Sequence, residues 1–95
     1  MFYEKHLGSL PALRKELELL DGDAGVRVVG KYAGEGCLAF VTRFSRTYTV
    51  VVYSRKSGST LTPSRRLASR EFDRLADAVA FLDSIAGQQV DAYSY

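Results

Sequence analysis

Apolar residues recur along this chain first at helical spacing, then at strand spacing, then at helical spacing again. Leu10, Leu13, Leu17 and Leu20 lie three or four apart behind Ser9, a helix-capping residue type, with Pro11 in the first turn. That pattern predicts an amphipathic helix over residues 10–21, stopped by Gly22. After the turn cluster Asp21-Gly22-Asp23-Ala24-Gly25, Val26, Val28 and Tyr32 alternate with Arg27, Val29 and Lys31 as a strand. Ala33-Gly34-Glu35-Gly36 turns the chain into a second strand, Cys37 to Phe44, and a short Ser45-Arg46 connection leads to a third, Thr47 to Arg55. Lys56-Ser57-Gly58-Ser59 reads as the next turn. Pro63 cannot donate to a ladder and belongs at an edge or bulge, and a fourth, irregular strand is expected over residues 66–72. Asp73 is placed to cap a second helix whose one face is Leu75, Ala78, Val79, Leu82 and Ile85, with Gly87 as its stop. The tail, Gln89 to Tyr95, alternates as a short edge strand or a loose terminus. The fold class expected is α+β: an N-terminal helix, a four-stranded antiparallel meander, a second helix packed on the sheet, and an optional C-terminal edge strand. Residues 1–95 read as a single domain, of a size that folds without metal or disulfide staples.

The two parities of the first three strands differ in polarity. Val26, Val28 and Tyr32, Leu38, Phe40 and Phe44, and Tyr48, Val50 and Val52 read as the face packed on a helix. The opposite parity, Arg27, Val29 and Lys31, Ala39, Val41 and Arg43, and Thr49, Val51, Tyr53 and Arg55, is mixed, whereas a sheet with one wet face should present a largely polar one. Three readings account for it. The N-terminal helix covers part of this face and the cations reach past it to water; or a homodimer forms there; or the face is an open platform on which Tyr53 stacks an aromatic group.

Charge changes the picture further. Residues 43–74 hold eight cations (Arg43, Arg46, Arg55, Lys56, Arg65, Arg66, Arg70 and Arg74) against Glu71 and Asp73, a segment charge of +6 inside a chain of net +2. Seven of the eight are Arg, whose planar fork suits phosphate and carboxylate groups. Arg27, Lys31, Arg43, Arg46, Arg55, Lys56, Arg65 and Arg66, with Tyr53 for stacking, are therefore the candidate binding residues, and nucleic acid or an acidic protein surface is the expected partner. The run around Arg65 and Arg66 has a plainer reading as a solvated guard on an edge strand.

The chemistry of catalysis is missing. His6 is the sole histidine and sits in a short N-terminal segment read as mobile, with no ligand cluster at metal spacing. Cys37 reads as a small buried hydrophobe, and Asp73 and Asp77 as a solvated helix face. No phosphate-binding loop or dinucleotide fingerprint occurs. The expectation is a protein that is not an enzyme and needs no cofactor and no metal. A lone cysteine, no apolar leader after Met1 and no apolar stretch near the roughly 20 residues of a membrane span point to a cytoplasmic protein that avoids membranes.

Family patterns narrow little. Double-stranded RNA-binding domains share the helix-strands-helix order but start their second helix with lysines, where this chain has Asp73, Arg74 and Asp77. Gly22-Asp23-Ala24-Gly25 matches the bare clamp of KH domains yet leads into a strand and carries an acid where phosphate would lie. Four strands and a helix is also the order of the single-strand-binding transcriptional coactivators, a likeness of topology alone. Arg70-Glu71-Phe72, then Leu75-Ala76-Asp77-Ala78 and Phe81-Leu82, closing at Gly87, resembles the strand-to-helix ending of small accessory proteins of plasmids and integrative mobile elements. The resemblance covers residues 65–87 and implies element maintenance or an anti-CRISPR-like inhibitor; it transfers no functional residue. The expected function is a small nucleic-acid-binding module using a basic sheet face and rim. The alternative is a protein-binding inhibitor or adaptor acting on a host complex.

Overall fold

The computed structural model describes residues 5–55 and 62–95; the expected turn over residues 56–59, with Lys56, lies outside the described residues. The elements run β1 (Lys5–Leu7), α1 (Leu10–Glu18), β2 (Gly25–Tyr32), β3 (Glu35–Phe44), β4 (Thr47–Arg55), β5 (Pro63–Phe72), α2 (Leu75–Ala86) and β6 (Asp91–Ser94). The six strands form one antiparallel sheet in the order β1-β6-β2-β3-β4-β5. The meander from β2 to β5 and the two helices match the sequence reading, while two strands do not. β1 is three residues long, too short to show a period, and exists because β6 offers it an edge. β6 is an interior strand rather than an edge, hydrogen-bonded between β1 and β2 with Ala92 fully buried.

Local chemistry sets the element ends. Ser9 caps α1, its hydroxyl accepting from the Ala12 amide at 3.3 Å. The helix closes three residues earlier than its leucine spacing suggests, because Leu19 and Leu20 bond back to Glu16 and Leu17 in tighter i to i+3 turns. Asp73 does not cap α2. It accepts instead from the Thr47 hydroxyl at 3.4 Å, and the cap position falls to Arg74, which makes no side-chain cap bond. Gly87, with φ of 71°, ends α2 as expected. Ser45 carries the positive φ, 59°, that a two-residue hairpin needs at its first position even though it is not glycine. Pro63 opens the edge strand β5, beside register shifts opposite Val52, Tyr53 and Arg55.

Both helices lie on one face of the sheet. Leu13 and Leu17 of α1 and Ala78, Val79, Leu82 and Ile85 of α2 join Val26, Val28, Ala39, Val41, Val50 and Val52 in a single core. Burying each of Val79, Leu82 and Ile85 contributes about 1.5–3 kcal/mol. The Tyr48 hydroxyl donates to the Leu17 carbonyl at 3.1 Å and ties α1 to β4. α1 is therefore not the cover of the mixed face.

The assignment of β3 to its face is the main correction. The register pairs Val26 with Val41, Val28 with Ala39 and Gly30 with Cys37, so Cys37, Ala39 and Val41 face the helices and Leu38, Phe40 and Phe44 face away. Both parities of β3 are apolar, so alternation cannot choose between them; side-chain size does. Gly30, Cys37 and Ser54 form a row of small residues beneath the end of α2, where a side chain on Gly30 would collide with the Ile85 carbonyl. Phe40 in that layer would hold the helix off the sheet.

Candidate nucleic-acid interface

The face without helices holds five of the candidate residues, Arg27, Lys31, Tyr53, Arg55 and Arg66. Cross-strand pairing lays it out in rows: Lys31 and Gly36; Val29, Leu38, Tyr53 and Arg66; Arg27, Phe40, Val51 and Ser69; Gly25, Thr42, Thr49 and Glu71. β6 extends two of these rows with Asp91 beside Val29 and Tyr93 beside Arg27. Val29 and Leu38 are buried here, outside the core that the helices cover.

Aromatic rings dominate the middle of the face. Phe40 stands edge-on to Tyr53 (centroids 5.7 Å apart, planes at 78°) and to Tyr95 (6.5 Å, 68°). Tyr95 reaches Phe40 because its ladder bonds to Gly25, both at 2.9 Å, carry its ring across β2. A Cβ on Gly25 would come within 2.6 Å of that ring, so glycine is what lets the ring lie there. Phe40, Thr42, Val51, Tyr53, Pro63 and Tyr95 line a shallow depression of about 360 Å³. Partial burial of the Tyr95 phenol, in a residue 42% exposed, holds it above its ordinary pKa of 10.0, outweighing the opposite pull of Arg27.

The predicted cations divide between the two sides. Arg27, Lys31, Arg55 and Arg66 share the aromatic face. Arg27 is 7% exposed, with its guanidinium 4.9 Å from the Tyr93 ring centre, so its role there is to support that ring. The His6 ring lies 5.0 Å from the same tyrosine, and its Nε2 is 3.0 Å from Asp91 Oδ1; His6 is thus held in β1, contrary to the mobile segment expected of it. Arg55 lies across Gly36, and Lys31 is the β2 partner of that glycine. Among the described residues, none of Lys31, Arg55 and Arg66 forms an ion pair.

Arg43 and Arg65 belong to the helix side, which overturns their grouping with Tyr53. Arg43 points its guanidinium at the Glu18 and Leu20 carbonyls (3.4 and 3.5 Å) and over the Tyr48 ring, closing the C-terminal end of α1. Arg65 pairs with Glu35 at 3.5 Å. Arg46 sits on the β3–β4 turn beside a depression of about 400 Å³ that Glu18, Arg43, Tyr48, Asp73 and Leu75 also line. With two acids facing two arginines, that depression has no net preference for anions.

Sequence reasoning missed Phe40, Tyr93 and Tyr95. Phe40 lies on a strand whose two parities are both apolar, and the two tyrosines lie in a tail whose pairing no local pattern reveals. Their alternation in Asp91-Ala92-Tyr93-Ser94-Tyr95 was the available signal. Cys37 is fully buried, and burial pushes its thiol above its ordinary range despite the opposing charge of Arg55. Among the described residues, no group of three or more His, Cys, Asp and Glu side chains is placed to hold a metal, and no helix is long and apolar enough to cross a membrane. Comparison with protein-family models, with curated proteins and with solved structures gives no significant match to this chain.

Proposed function

We propose that this protein is a non-enzymatic nucleic-acid-binding module that uses the helix-free face of its sheet. The observation that carries this reading is the meeting of the Phe40, Tyr53 and Tyr95 rings with Lys31, Arg55 and Arg66 on one face. Rings that stack bases and cations that hold phosphates are the two parts such a surface needs. A protein-binding inhibitor or adaptor would use the same arginines against carboxylates.

The cation count sets the expected strength of the salt effect. Six phosphates, the number the whole basic segment suggests, would give a slope of log affinity against log salt of about −4 to −5. Three cations remain on the face once Arg43 and Arg65 are assigned to structure and Arg27 to ring support. Their slope on a single strand is about −2. Fluorescence anisotropy of labelled single- and double-stranded DNA and RNA, titrated at several salt concentrations, measures it. Binding with a slope near −2, flattened by about 0.7 in Arg55→Ala, is the expected result. Absence of binding to every oligonucleotide at low salt overturns the reading.

A further inference from the structure

We propose that the depression between Phe40, Tyr53 and Tyr95 receives one unpaired base, so that the protein selects single strands over duplex. The inference rests on the nucleic-acid reading above and adds to it the form of the ligand. A purely electrostatic surface would prefer the duplex, which carries the denser phosphate charge.

The shape of the face argues the other way. Phe40 meets both tyrosines edge-on, at 78° and 68°, so the three rings do not collapse into a parallel stack that fills its own faces. They leave a shallow depression of about 360 Å³, room for a flat heteroaromatic ring to lie on the face. Val51 and Pro63 add apolar lining, and Thr42 adds a hydroxyl that can donate or accept.

The cations are arranged to match. Arg66 is the cross-strand partner of Tyr53, and Arg55 lies two residues along the same strand, roughly 6.5–7 Å away. A base seated against Tyr53 therefore has Arg66 across the ladder and Arg55 along the strand as the nearest cations for its sugar-phosphate. Paired bases have both faces stacked and their edges bonded, and reach such a slot only by flipping out at a cost of unstacking and unpairing. An unpaired base meets no such barrier.

The test uses labelled single strands and a duplex of the same base composition. Wild type is compared with Tyr53→Ala, Tyr53→Phe and Arg55→Ala, each checked for native circular dichroism. The chain has six tyrosines and no tryptophan, so tyrosine emission reports stacking directly. Wild type should bind the single strand about tenfold or more tightly than the duplex, with tyrosine emission quenched. Tyr53→Ala should lose about tenfold or more on the single strand with an unchanged salt slope, and Tyr53→Phe should retain the affinity. Arg55→Ala should flatten the slope and keep the quenching. Equal or tighter binding to duplex, with Tyr53→Ala neutral, overturns the single-base slot while leaving the nucleic-acid reading standing. No binding to any oligonucleotide overturns both. A mass that doubles with concentration and returns to the monomer value in Phe40→Ser shows a second copy of this chain on the face and also overturns the proposal.

Discussion

On the helix side of the sheet, Val26, Val28, Ala39, Val41, Val50 and Val52 are fully buried beneath two helices. On the other side Leu38 is equally buried, yet the ring beside it, Tyr53, and the next along the strand, Phe40, are only partly so. Around Gly30 the helix side is small-residue packing beneath a rigid element; the middle of the other side is large rings around an opening. Glycines show the difference best. Gly30 makes room for backbone, the Ile85 carbonyl of α2, whereas Gly25 makes room for a side chain, the Tyr95 ring. Backbone cannot step aside without moving a helix, and a ring can rotate. Tight packing against a fixed layer stabilises a fold, while rings with a solvent-facing gap are suited to receiving something else.

Truncations should separate the faces most strongly. Leu82→Ala, in the core under α2, should cost about 2–5 kcal/mol in chemical denaturation. Phe40→Ala, on a ring only partly buried, should cost less than Leu82→Ala and remove oligonucleotide binding; equal costs would mean the two faces are one core. The glycines come next. Gly30→Ala should cost about 1–3 kcal/mol, because the Ile85 backbone has to move. Gly25→Ala should cost about 1 kcal/mol or less and displace the Tyr95 ring, seen as a change in its side-chain NMR shifts. Identical losses at both glycines would break the comparison.

A smaller effect concerns α2, where the capping fault lies. Arg74→Ser supplies the missing acceptor and should raise stability by about 1 kcal/mol in the same assay with binding unchanged. The last test is a titration. Burial favours the neutral Tyr95 phenol, so its stabilising contribution is complete below about pH 10 and is lost as pH rises through its elevated folded value. Wild type should therefore show a late-ionising tyrosine by tyrosinate absorbance that Tyr95→Phe lacks. If the tyrosine missing from the Tyr95→Phe titration were one that ionises at the ordinary value, the ring would not be packed on β2.

Much of the scaffold was legible in the chain because it is written in local chemistry. Ser9 and the leucine spacing mark α1, Gly87 stops α2, and Pro63 marks an edge strand; each depends on residues within a turn or two of one another. Asp73 shows the limit of that reasoning. It has the right type and position for a cap, but Thr47, 26 residues away, takes its carboxylate. Arg43 shows it again at the site: its neighbours in sequence suggest a phosphate ligand, and its partners in space are the carbonyls of Glu18 and Leu20.

The sequence by itself determined the fold class, the meander, the two helices and the presence of a basic, tyrosine-bearing sheet face, since period and turn chemistry act over short stretches. Tertiary structure alone decided which parity of β3 meets the helices, that α1 joins α2 on one side, and that β6 enters the sheet between β1 and β2 and brings Tyr93 and Tyr95 to the open face. Those outcomes depend on how closely a helix can approach Gly30, Cys37 and Ser54 and on which strand edges remain unpaired. Neither quantity exists until distant parts of the chain are in contact.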